Sequence, residues 1–345
     1  MKTKAAVLYE LNKPLVIEEL EIPSLEKGQV LVKILYSGIC HSQINEIKGL
    51  KGEDKYLPHL LGHEGSGIVE EIGPGITKVR KGDYVVLSWI KGTGLDAPSC
   101  QYNKDGLTIN SGAITTFSEY AVISENRLVV ISKEVPPDIA ALLGCAIPTG
   151  AGIIKNEINL KKEDSLAIFG LGGIGSSALI YASSLSCSKI IAVDINDSKL
   201  NFAKEIGATD IINASKVNPV EKIKELTFGK GVDFSIESSG VSAAMENAFE
   251  STKDSGKTII AGNLKSGEKM FINPFDLIRG KRIIGTWGGK TNPDVDIPFY
   301  AKKFIQEDIM FKKLITKIYN LNEINDAFND LKQGRVVRAL IKLKI

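Results

Sequence analysis

The 345-residue sequence predicts an α/β fold, in which a doubly wound parallel sheet is inserted in a mostly antiparallel β domain. Residues 1–37 alternate polar and apolar side chains between turn residues, a pattern typical of antiparallel strands. From about Ile147 short apolar runs alternate with helical segments, which is typical of a parallel sheet with crossover helices. This alternation stops after Trp287. A helix at Leu321–Lys332 and a strand at Val336–Ile345 are predicted to rejoin the first domain.

The individual elements follow from local patterns. A helical stretch begins near Gly38 and continues to about Lys48, and a polar, glycine-rich loop is predicted from roughly Lys91 to Thr115. The six predicted strands of the parallel sheet are Leu166–Phe169, Ile190–Val193, Asp210–Ile212, Val232–Ile236, Thr258–Ile260 and Arg282–Gly285. Helices between them include Ser198–Ile206, Val220–Thr227 and Ser242–Ser251. These elements predict one domain formed by residues 1–147 and 288–345, and a second formed by residues 148–287.

Composition limits the class of protein. A chain of this length suits two domains. The net charge of +2 and the lack of a basic block argue against nucleic acid or an anionic membrane as the main partner. No apolar run approaches the roughly 18 residues that span a bilayer, and the first residues lack the apolar region of a signal peptide. Four widely spaced cysteines do not form a disulfide framework, so a cytoplasmic protein is predicted.

A glycine-rich turn follows the first predicted strand of the parallel sheet. The pattern G-x-G-x-x-G permits a tight turn, close approach of backbone to a pyrophosphate, and close packing of the next helix. Asp194 ends the second strand, where a carboxylate binds ribose hydroxyls and repels a 2′-phosphate. A purely structural turn with an N-capping aspartate is the alternative. The pattern predicts a dinucleotide site that favours NAD over NADP. The predicted contacts are Gly170, Gly172, Gly173, Ile174, Gly175 and Asp194.

Three potential metal ligands, Cys40, His63 and Cys145, each lie beside glycine at the start or end of an element. Two thiolates and one imidazole leave the fourth position of tetrahedral zinc open, which is the arrangement of a catalytic site. Zinc in such a site lowers the pKa of a substrate oxygen. Taken singly, each cysteine fits a small buried hydrophobic residue equally well. Spacing alone does not unite the three residues.

Short motifs along the whole chain match a known family. The motif G-H-E-x2-G-x5-G-x2-I is found at Gly62-His63-Glu64, Gly67, Gly73 and Ile76. Further matches are Gly38–Ser42, Lys81–Val85, Gly144-Cys145 with Thr149-Gly150, Gly170–Gly175, Val193–Asn196, Asn273-Pro274 and Gly334 with Arg338. The sequence thereby resembles the zinc-dependent alcohol dehydrogenases of the medium-chain dehydrogenase/reductase superfamily. The resemblance implies a GroES-like catalytic domain and a Rossmann domain for the coenzyme.

The resemblance also implies a role for each site residue. Cys40, His63 and Cys145 would bind one catalytic zinc ion, and Glu64 would be a carboxylate that can visit the metal during ligand exchange. Ser42 would hold the hydroxyl group of the alcohol and pass on its proton. The remaining implied contacts are His41, Lys199 and Arg338 with the phosphates or ribose of the coenzyme, Thr149 under the nicotinamide, and Trp89 in the wall of the substrate pocket. A core aromatic is the alternative for Trp89.

Three positions depart from the family pattern. Most members carry a structural zinc held by four cysteines, whereas Cys100 is the only cysteine in residues 90–116, so no structural zinc is predicted. Gln43 stands where the family usually has aspartate, and a neutral amide should alter the basicity of a zinc ligand. Asn45 stands where the animal enzymes end their proton relay with histidine, and asparagine does not titrate. The proton is therefore hypothesised to leave through His41 or water.

The leading interpretation is an NAD-dependent zinc alcohol dehydrogenase that interconverts an alcohol with an aldehyde or ketone. A polyol or sugar dehydrogenase of the same superfamily is favoured if the polar loop at 90–116 binds a hydroxylated substrate. Glutathione-linked formaldehyde chemistry is disfavoured because that loop offers only Lys91 and Lys104 to glutathione carboxylates. A non-catalytic relative would have lost metal ligands, and all are present. Family members extend the nucleotide-domain sheet across a two-fold axis, so Leu264–Thr286, with its edge strand, implies a homodimer or homotetramer.

Overall fold

The computed structural model describes residues 1–307 and 309–344. Its strands are β1 Lys2–Leu8, β2 Val16–Glu21, β3 Gln29–Gly38, β4 His59–Leu60, β5 Glu64–Ile72, β6 Tyr84–Ser88, β7 Gln101–Lys104, β8 Leu107–Asn110, β9 Tyr120–Ser124, β10 Leu128–Val130, β11 Ser165–Phe169, β12 Lys189–Asp194, β13 Asp210–Asn213, β14 Val232–Glu237, β15 Thr252–Ile260, β16 Arg282–Gly285, β17 Ile315–Asn320 and β18 Arg338–Lys342. Its α-helices are α1 His41–Ile47, α2 Pro137–Leu142, α3 Ala146–Gly152, α4 Gly173–Ser184, α5 Asp197–Glu205, α6 Pro219–Leu226, α7 Ser242–Glu250, α8 Pro274–Ile278, α9 Pro293–Glu307 and α10 Ile324–Lys332.

The chain divides into two compact units. The first comprises Met1–Cys145, Asn292–Asp308 and Ile315–Ile345, and the second comprises Ala146–Thr291 and Ile309–Leu314. Among the described residues, no helix combines the length and the apolar character needed to cross a membrane.

Mostly antiparallel strands build the first unit. One set forms a closed barrel in the order β1-β2-β7-β8-β4, and the other forms a sheet in the order β10-β6-β5-β3-β18-β17, with β9 also paired to β3. Strand β18 pairs antiparallel with β3, so the C-terminal part of the chain extends a sheet begun by the N-terminal part. Buried apolar side chains, among them Val32, Phe117 and Phe328, fill the space between this sheet and α10.

A six-stranded sheet forms the centre of the second unit. Its order is β13-β12-β11-β14-β15-β16, and every neighbouring pair is parallel. The predicted fold class, a doubly wound parallel sheet inserted in a mostly antiparallel β domain, is therefore confirmed. The strand order reverses between β11 and β14, and ligands of such sheets bind outside the carboxyl ends of the strands at this switch point.

The predicted loop from Lys91 to Thr115 contains a β-hairpin, so that expectation was wrong in part. Strands β7 and β8 pair with Lys104 opposite Leu107, which leaves the two-residue turn Asp105-Gly106. Both turn residues have positive φ, 50° and 90°. Such a turn matches the twist of antiparallel strands, and Asp-Gly is one of its preferred sequences. The observed last strand is also shorter than the predicted Val336–Ile345, since β18 runs from Arg338 to Lys342 and Ile345 lies outside the described residues.

A buried carboxylate holds the start of this region in place. Glu125 is fully buried, and its Oε1 atom accepts the backbone N–H groups of Thr77 and Lys78, each at 2.7 Å. Its Oε2 atom accepts the N–H of Leu95 at 2.7 Å. Although burial opposes the shift, these backbone donors hold the pKa of the Glu125 carboxyl below its usual value. One side chain thus joins three segments of the chain.

We expect Glu125→Gln to lower the free energy of unfolding by about 1–3 kcal/mol at neutral pH, because an amide replaces a charged acceptor of three hydrogen bonds. The folded-state pKa of Glu125 is depressed, so its stabilisation is present above the ordinary carboxyl pKa and is lost as the pH falls through the folded value. Urea unfolding across that range should show the difference shrinking in acid. The exposed Glu134→Gln variant is the control, and an equal effect of both variants would contradict the assignment.

Candidate active site

Strand register brings Cys40 and His63 to one edge of the first unit. Strands β3 and β5 are antiparallel, with Ser37 opposite Gly65. The segment that follows β3 therefore lies beside the segment that precedes β5, and these segments carry Cys40 and His63.

Cys145 reaches the same edge through β6. This strand pairs with β5, and Glu64 lies opposite Ser88. The Ser88 hydroxyl donates to the carbonyl oxygen of Gly144 at 2.8 Å. A Cβ atom at Gly144 would lie 2.2 Å from the carbonyl oxygen of Leu87, so only glycine permits this approach. Cys145 is the next residue and is held beside the start of β5.

The three predicted ligands form a cluster. One ligand atom from each of Cys40, His63 and Cys145 lies within 4.8 Å of the other two. The Cys145 thiol, the His63 ring and the Arg338 guanidinium hold the pKa of the Cys40 thiol well below its usual range, although burial opposes the shift. The thiolate is the form of cysteine that binds metals.

The donor set fits a catalytic zinc ion. Zinc bonds of about 2.3 Å to sulfur and 2.0–2.1 Å to nitrogen place tetrahedral ligand atoms about 3.5–3.8 Å apart. The ligand atoms of the cluster lie within 4.8 Å of one another, which is comparable with that separation. Three protein ligands would leave one position on a bound zinc ion open, as in catalytic zinc sites.

A buried ion pair lies next to the cluster. Glu64 is fully buried and pairs with Arg338, which is 3 % exposed. Gly38 makes room for this carboxylate, since a Cβ atom there would lie 2.2 Å from Glu64 Oε1. Burial lowers the pKa of Arg338, and the neighbouring Cys40 opposes that shift. The structure thus places Arg338 against the carboxylate of Glu64 and the thiol of Cys40, an arrangement that motif reasoning missed.

Helix α1 presents the predicted proton-handling residues. The side-chain oxygen of Gln43 accepts the backbone N–H of Cys40 at 2.9 Å, which fixes the start of the helix. The Ser42 hydroxyl oxygen is buried and has no hydrogen-bond partner among the described residues. His41 is exposed and Asn45 is half-buried. An orphaned hydroxyl two residues after a predicted metal ligand fits the predicted contact with a substrate oxygen.

Trp89 directly follows β6 and is half-buried. Its carbonyl oxygen accepts a hydrogen bond from the Arg127 guanidinium. The structure therefore places Trp89 at the end of the strand that carries Ser88, on the edge where the cluster forms.

A cavity of about 810 Å³ in the first unit reaches the cluster from one side, and His63 is the only predicted metal ligand in its wall. His59 also lines this cavity; its Nε2 atom lies 2.8 Å from an oxygen of Asp54 and its Nδ1 atom 2.9 Å from the carbonyl oxygen of Leu60. Cys100 is buried in the wall, and burial raises the pKa of its thiol to about 11. Its thiol is therefore protonated at neutral pH.

The glycine-rich turn lies at the carboxyl end of β11 in the second unit. Gly170 has φ +89°, which favours glycine, and a Cβ atom at Gly175 would lie 2.0 Å from the Gly170 carbonyl oxygen. Helix α4 begins after Gly172, and no side chain caps its first N–H groups. Uncapped N–H groups at a helix N-terminus form a ready site for phosphate.

Asp194 joins this turn to the end of β12. One carboxylate oxygen accepts the N–H of Leu171 at 2.8 Å, and the other accepts those of Ile195 at 2.8 Å and Asn196 at 3.0 Å. A carboxylate has about four acceptor positions, so capacity for a ribose hydroxyl remains. Holding the turn is a second role of Asp194, which sequence reasoning missed.

The other predicted coenzyme contacts of the second unit lie on separate helices. Thr149 is buried on α3, and its hydroxyl oxygen has no partner within the part of the chain that the structure describes. Lys199 is half-buried near the start of α5, where the side chain of Asn196 accepts its N–H group at 3.4 Å.

Comparison with known proteins agrees with this geometry. The zinc-binding dehydrogenase model matches residues 173–301, and the alcohol dehydrogenase GroES-like model matches residues 26–133. The chain is 33% identical to S-(hydroxymethyl)glutathione dehydrogenase of Synechocystis sp., covering 99% of this chain and 100% of the relative. It is 34% identical to alcohol dehydrogenase class-3 of Dictyostelium discoideum, covering 99% and 97%. The crystal structure of benzyl alcohol dehydrogenase from Acinetobacter calcoaceticus is similar over both whole chains, with 31% identity and a TM-score of 0.90.

The nucleotide-type sheet and the Cys–His–Cys cluster define a zinc-dependent oxidoreductase. Its relatives match over nearly the full length of both chains, and alcohol dehydrogenases act on small-molecule alcohols. The chain belongs to the zinc-dependent alcohol dehydrogenase family of the medium-chain dehydrogenase/reductase superfamily.

Proposed function

We propose that this chain transfers a hydride from a small alcohol to NAD and releases an aldehyde or ketone, using one zinc ion. The observation that supports this most is the convergence of Cys40, His63 and Cys145, whose ligand atoms lie within 4.8 Å of one another. The proposed catalytic, zinc-binding domain comprises residues 1–147 and 288–345. The proposed NAD-binding domain comprises residues 148–287.

The residues of the metal site have distinct proposed roles. Cys40, His63 and Cys145 hold the zinc, which when bound supplies a Lewis acid for the substrate oxygen. Ser42, with its orphaned hydroxyl, accepts the hydrogen bond of the substrate hydroxyl and passes on its proton. Glu64, which pairs with Arg338, is the carboxylate available to the metal during ligand exchange.

His41 is the proposed exit for that proton. It is exposed, adjacent to Ser42 and titratable, whereas Asn45 does not titrate.

Cys100 is the only cysteine of residues 90–116 and lies in a hydrophobic cluster with Tyr102 and Ile109, which supports one zinc ion per chain. Metal analysis that found two zinc ions per chain would contradict this count.

NAD, when bound, would supply the hydride acceptor. The uncapped start of α4 and its glycine-rich turn bind the diphosphate, and Asp194 binds the adenosine ribose and disfavours a 2′-phosphate. Gly170, Gly172, Gly173, Ile174 and Gly175 form the diphosphate site. The proposed supporting contacts are Thr149 with the nicotinamide, and His41, Lys199 and Arg338 with phosphate or ribose.

The proposed substrate is an uncharged alcohol, with Trp89 as one wall of its pocket. The similar structures include a benzyl alcohol dehydrogenase, which favours a substrate with an apolar group. Glutathione adducts are disfavoured because the loop at 90–116 offers only two cations, and each already pairs with an aspartate: Lys91 with Asp96 at 2.6 Å and Lys104 with Asp105 at 2.6 Å.

A polyol substrate is the second candidate. The crystal structure of 2R,3R-butanediol dehydrogenase from Bacillus subtilis is 27% identical and has a TM-score of 0.78. Polar residues also line part of the cavity beside His63, among them Gln29, Asn110 and Thr115. Comparing primary, secondary and polyhydroxylated alcohols distinguishes the two candidates.

We also propose that the chain forms a homodimer or homotetramer in the cytoplasm. Strand β16 is the edge of its sheet as described, and apolar side chains near it are exposed: Phe275 58 %, Ile278 78 % and Trp287 77 %. Pairing of two such edges would bury these side chains. Sedimentation of the purified protein as a monomer would contradict this proposal.

Purified, zinc-loaded protein is expected to produce NADH from NAD and a small alcohol, and to be much less active with NADP. A zinc chelator should remove this activity, and added zinc should restore it, because the substrate hydroxyl loses its Lewis acid. Absorbance of the reduced coenzyme measures both effects. Activity that persists in zinc-free protein would contradict the proposal.

A further inference from the structure

Glu237 is a buried carboxyl group at the edge of the sheet where the coenzyme is proposed to bind. It is the last residue of β14 and is fully buried. Strand β14 pairs with β11, and Glu237 lies opposite Phe169. Its strand therefore ends beside the glycine-rich turn that begins at Gly170.

The chain folds back over this carboxyl group. Its Oε1 atom accepts the N–H of Ser239 at 2.7 Å, the N–H of Gly240 at 2.9 Å, and the Ser239 hydroxyl. Gly240 has φ +72°, a conformation that favours glycine. Burial raises the pKa of Glu237, against the effect of these donors. We call residues 238–240 the serine turn.

The serine turn packs directly against the glycine-rich turn. The Ser238 hydroxyl donates to the carbonyl oxygen of Gly170 at 2.8 Å. The backbone N–H of Ser238 donates to the carbonyl oxygen of Phe169, also at 2.8 Å. A Cβ atom at Gly170 would lie 2.8 Å from the backbone nitrogen of Ser239. A shift of the serine turn would therefore also move Gly170.

We infer that Glu237 is a positioning residue for the diphosphate of the coenzyme. By holding Ser239 and Gly240 it fixes the serine turn, and the serine turn fixes Gly170 and the N–H groups that follow. Glu237 itself is buried, so its effect on the diphosphate would pass through the serine turn. This inference rests on the proposed binding of a dinucleotide. Glu237 is expected to affect the binding of the diphosphate and not that of the adenosine.

Binding of ADP and of adenosine to the zinc-loaded full chain tests the inference by calorimetry. Glu237→Ala should weaken ADP binding about 10- to 100-fold, the loss expected when N–H groups that donate to charged phosphate oxygens are displaced, and should leave adenosine affinity within about twofold of the parent's. Glu237→Gln should bind ADP nearly as the parent does, because its amide oxygen accepts the same N–H groups. If the effect of Glu237→Ala came from the loss of charge alone, Glu237→Gln would weaken ADP binding to the same extent.

Two further variants keep the test decisive if Glu237→Ala folds poorly. Ser238→Ala removes only the hydroxyl that contacts Gly170 and should weaken ADP binding more than adenosine binding. Ile223→Ala lies in the buried cluster of the same unit and should reduce stability without changing the ratio of ADP to adenosine affinity. If the Glu237 and Ser238 variants weakened the binding of ADP and adenosine equally, or weakened neither, the inference would be overturned. The proposal that the chain binds NAD would still stand. A parent protein that binds neither ADP nor NADH would overturn the proposed function as well.

Discussion

Cys40→Ser is expected to reduce alcohol-dependent NADH formation about 10³-fold or more, since Lewis-acid stabilisation is worth several kcal/mol and each 1.36 kcal/mol is a factor of ten. The serine hydroxyl does not ionise at neutral pH, whereas the surroundings of Cys40 favour its thiolate. The variant should therefore bind zinc weakly and leave the substrate oxygen unactivated. Metal analysis of the purified variant, together with its rate of NADH formation, measures both effects.

Cys187→Ser is the matched control for this variant. Cys187 is buried in the second unit, and its thiol donates to the carbonyl oxygen of Asp164 at 3.2 Å, a bond that serine can also make. The control should keep both zinc and activity. If Cys40→Ser kept one zinc ion per chain and lost less than about tenfold in rate, the metal-site assignment would be wrong.

The parallel sheet was predictable because its strands are short apolar runs that end at turn residues. Strands β11 and β12 each lie within one residue of their predicted bounds. Strand β15 begins at Thr252, six residues before the predicted Thr258. The first half of this strand was not predicted because it is polar, partly exposed and without strand periodicity. Local patterns therefore identified strands by burial and missed the part of a strand that is not buried.

The hairpin of β7 and β8 is indicated in the sequence by its turn residues. Asp105-Gly106 is a preferred two-residue turn, and Tyr102 and Ile109 on its two strands are buried. The polar residues around them suggested a loop. Alternation over only four residues per strand is a weak pattern, and the turn residues carried the better information.

The site depends on long-range pairing that spacing does not reveal. Residues 40, 63 and 145 were united by family resemblance, and the structure explains their convergence through the register of β3, β5 and β6. The contact of Arg338 with Glu64 needs β18 to return to β3, where Leu340 lies opposite Gly38. No local pattern near residue 338 specifies that partner strand, so this ion pair could not be inferred from the sequence alone.

Arg338→Met is expected to lower the free energy of unfolding by about 3–5 kcal/mol, because it leaves the fully buried carboxylate of Glu64 without its cation. Methionine retains much of the length of the arginine stem, so packing changes little. Urea unfolding of the zinc-loaded protein measures the loss. NADH binding to the same variant shows separately whether Arg338 also contacts the coenzyme.

Glu64→Gln combined with Arg338→Met distinguishes a buried charge from a packing defect. Once the carboxylate is neutral, loss of the guanidinium no longer leaves an unpaired charge, so the double variant should be about 1–3 kcal/mol more stable than the sum of the single effects indicates. Additive effects would mean that the two side chains act independently. In that case the pairing of Glu64 with Arg338 would not contribute to the stability of the site.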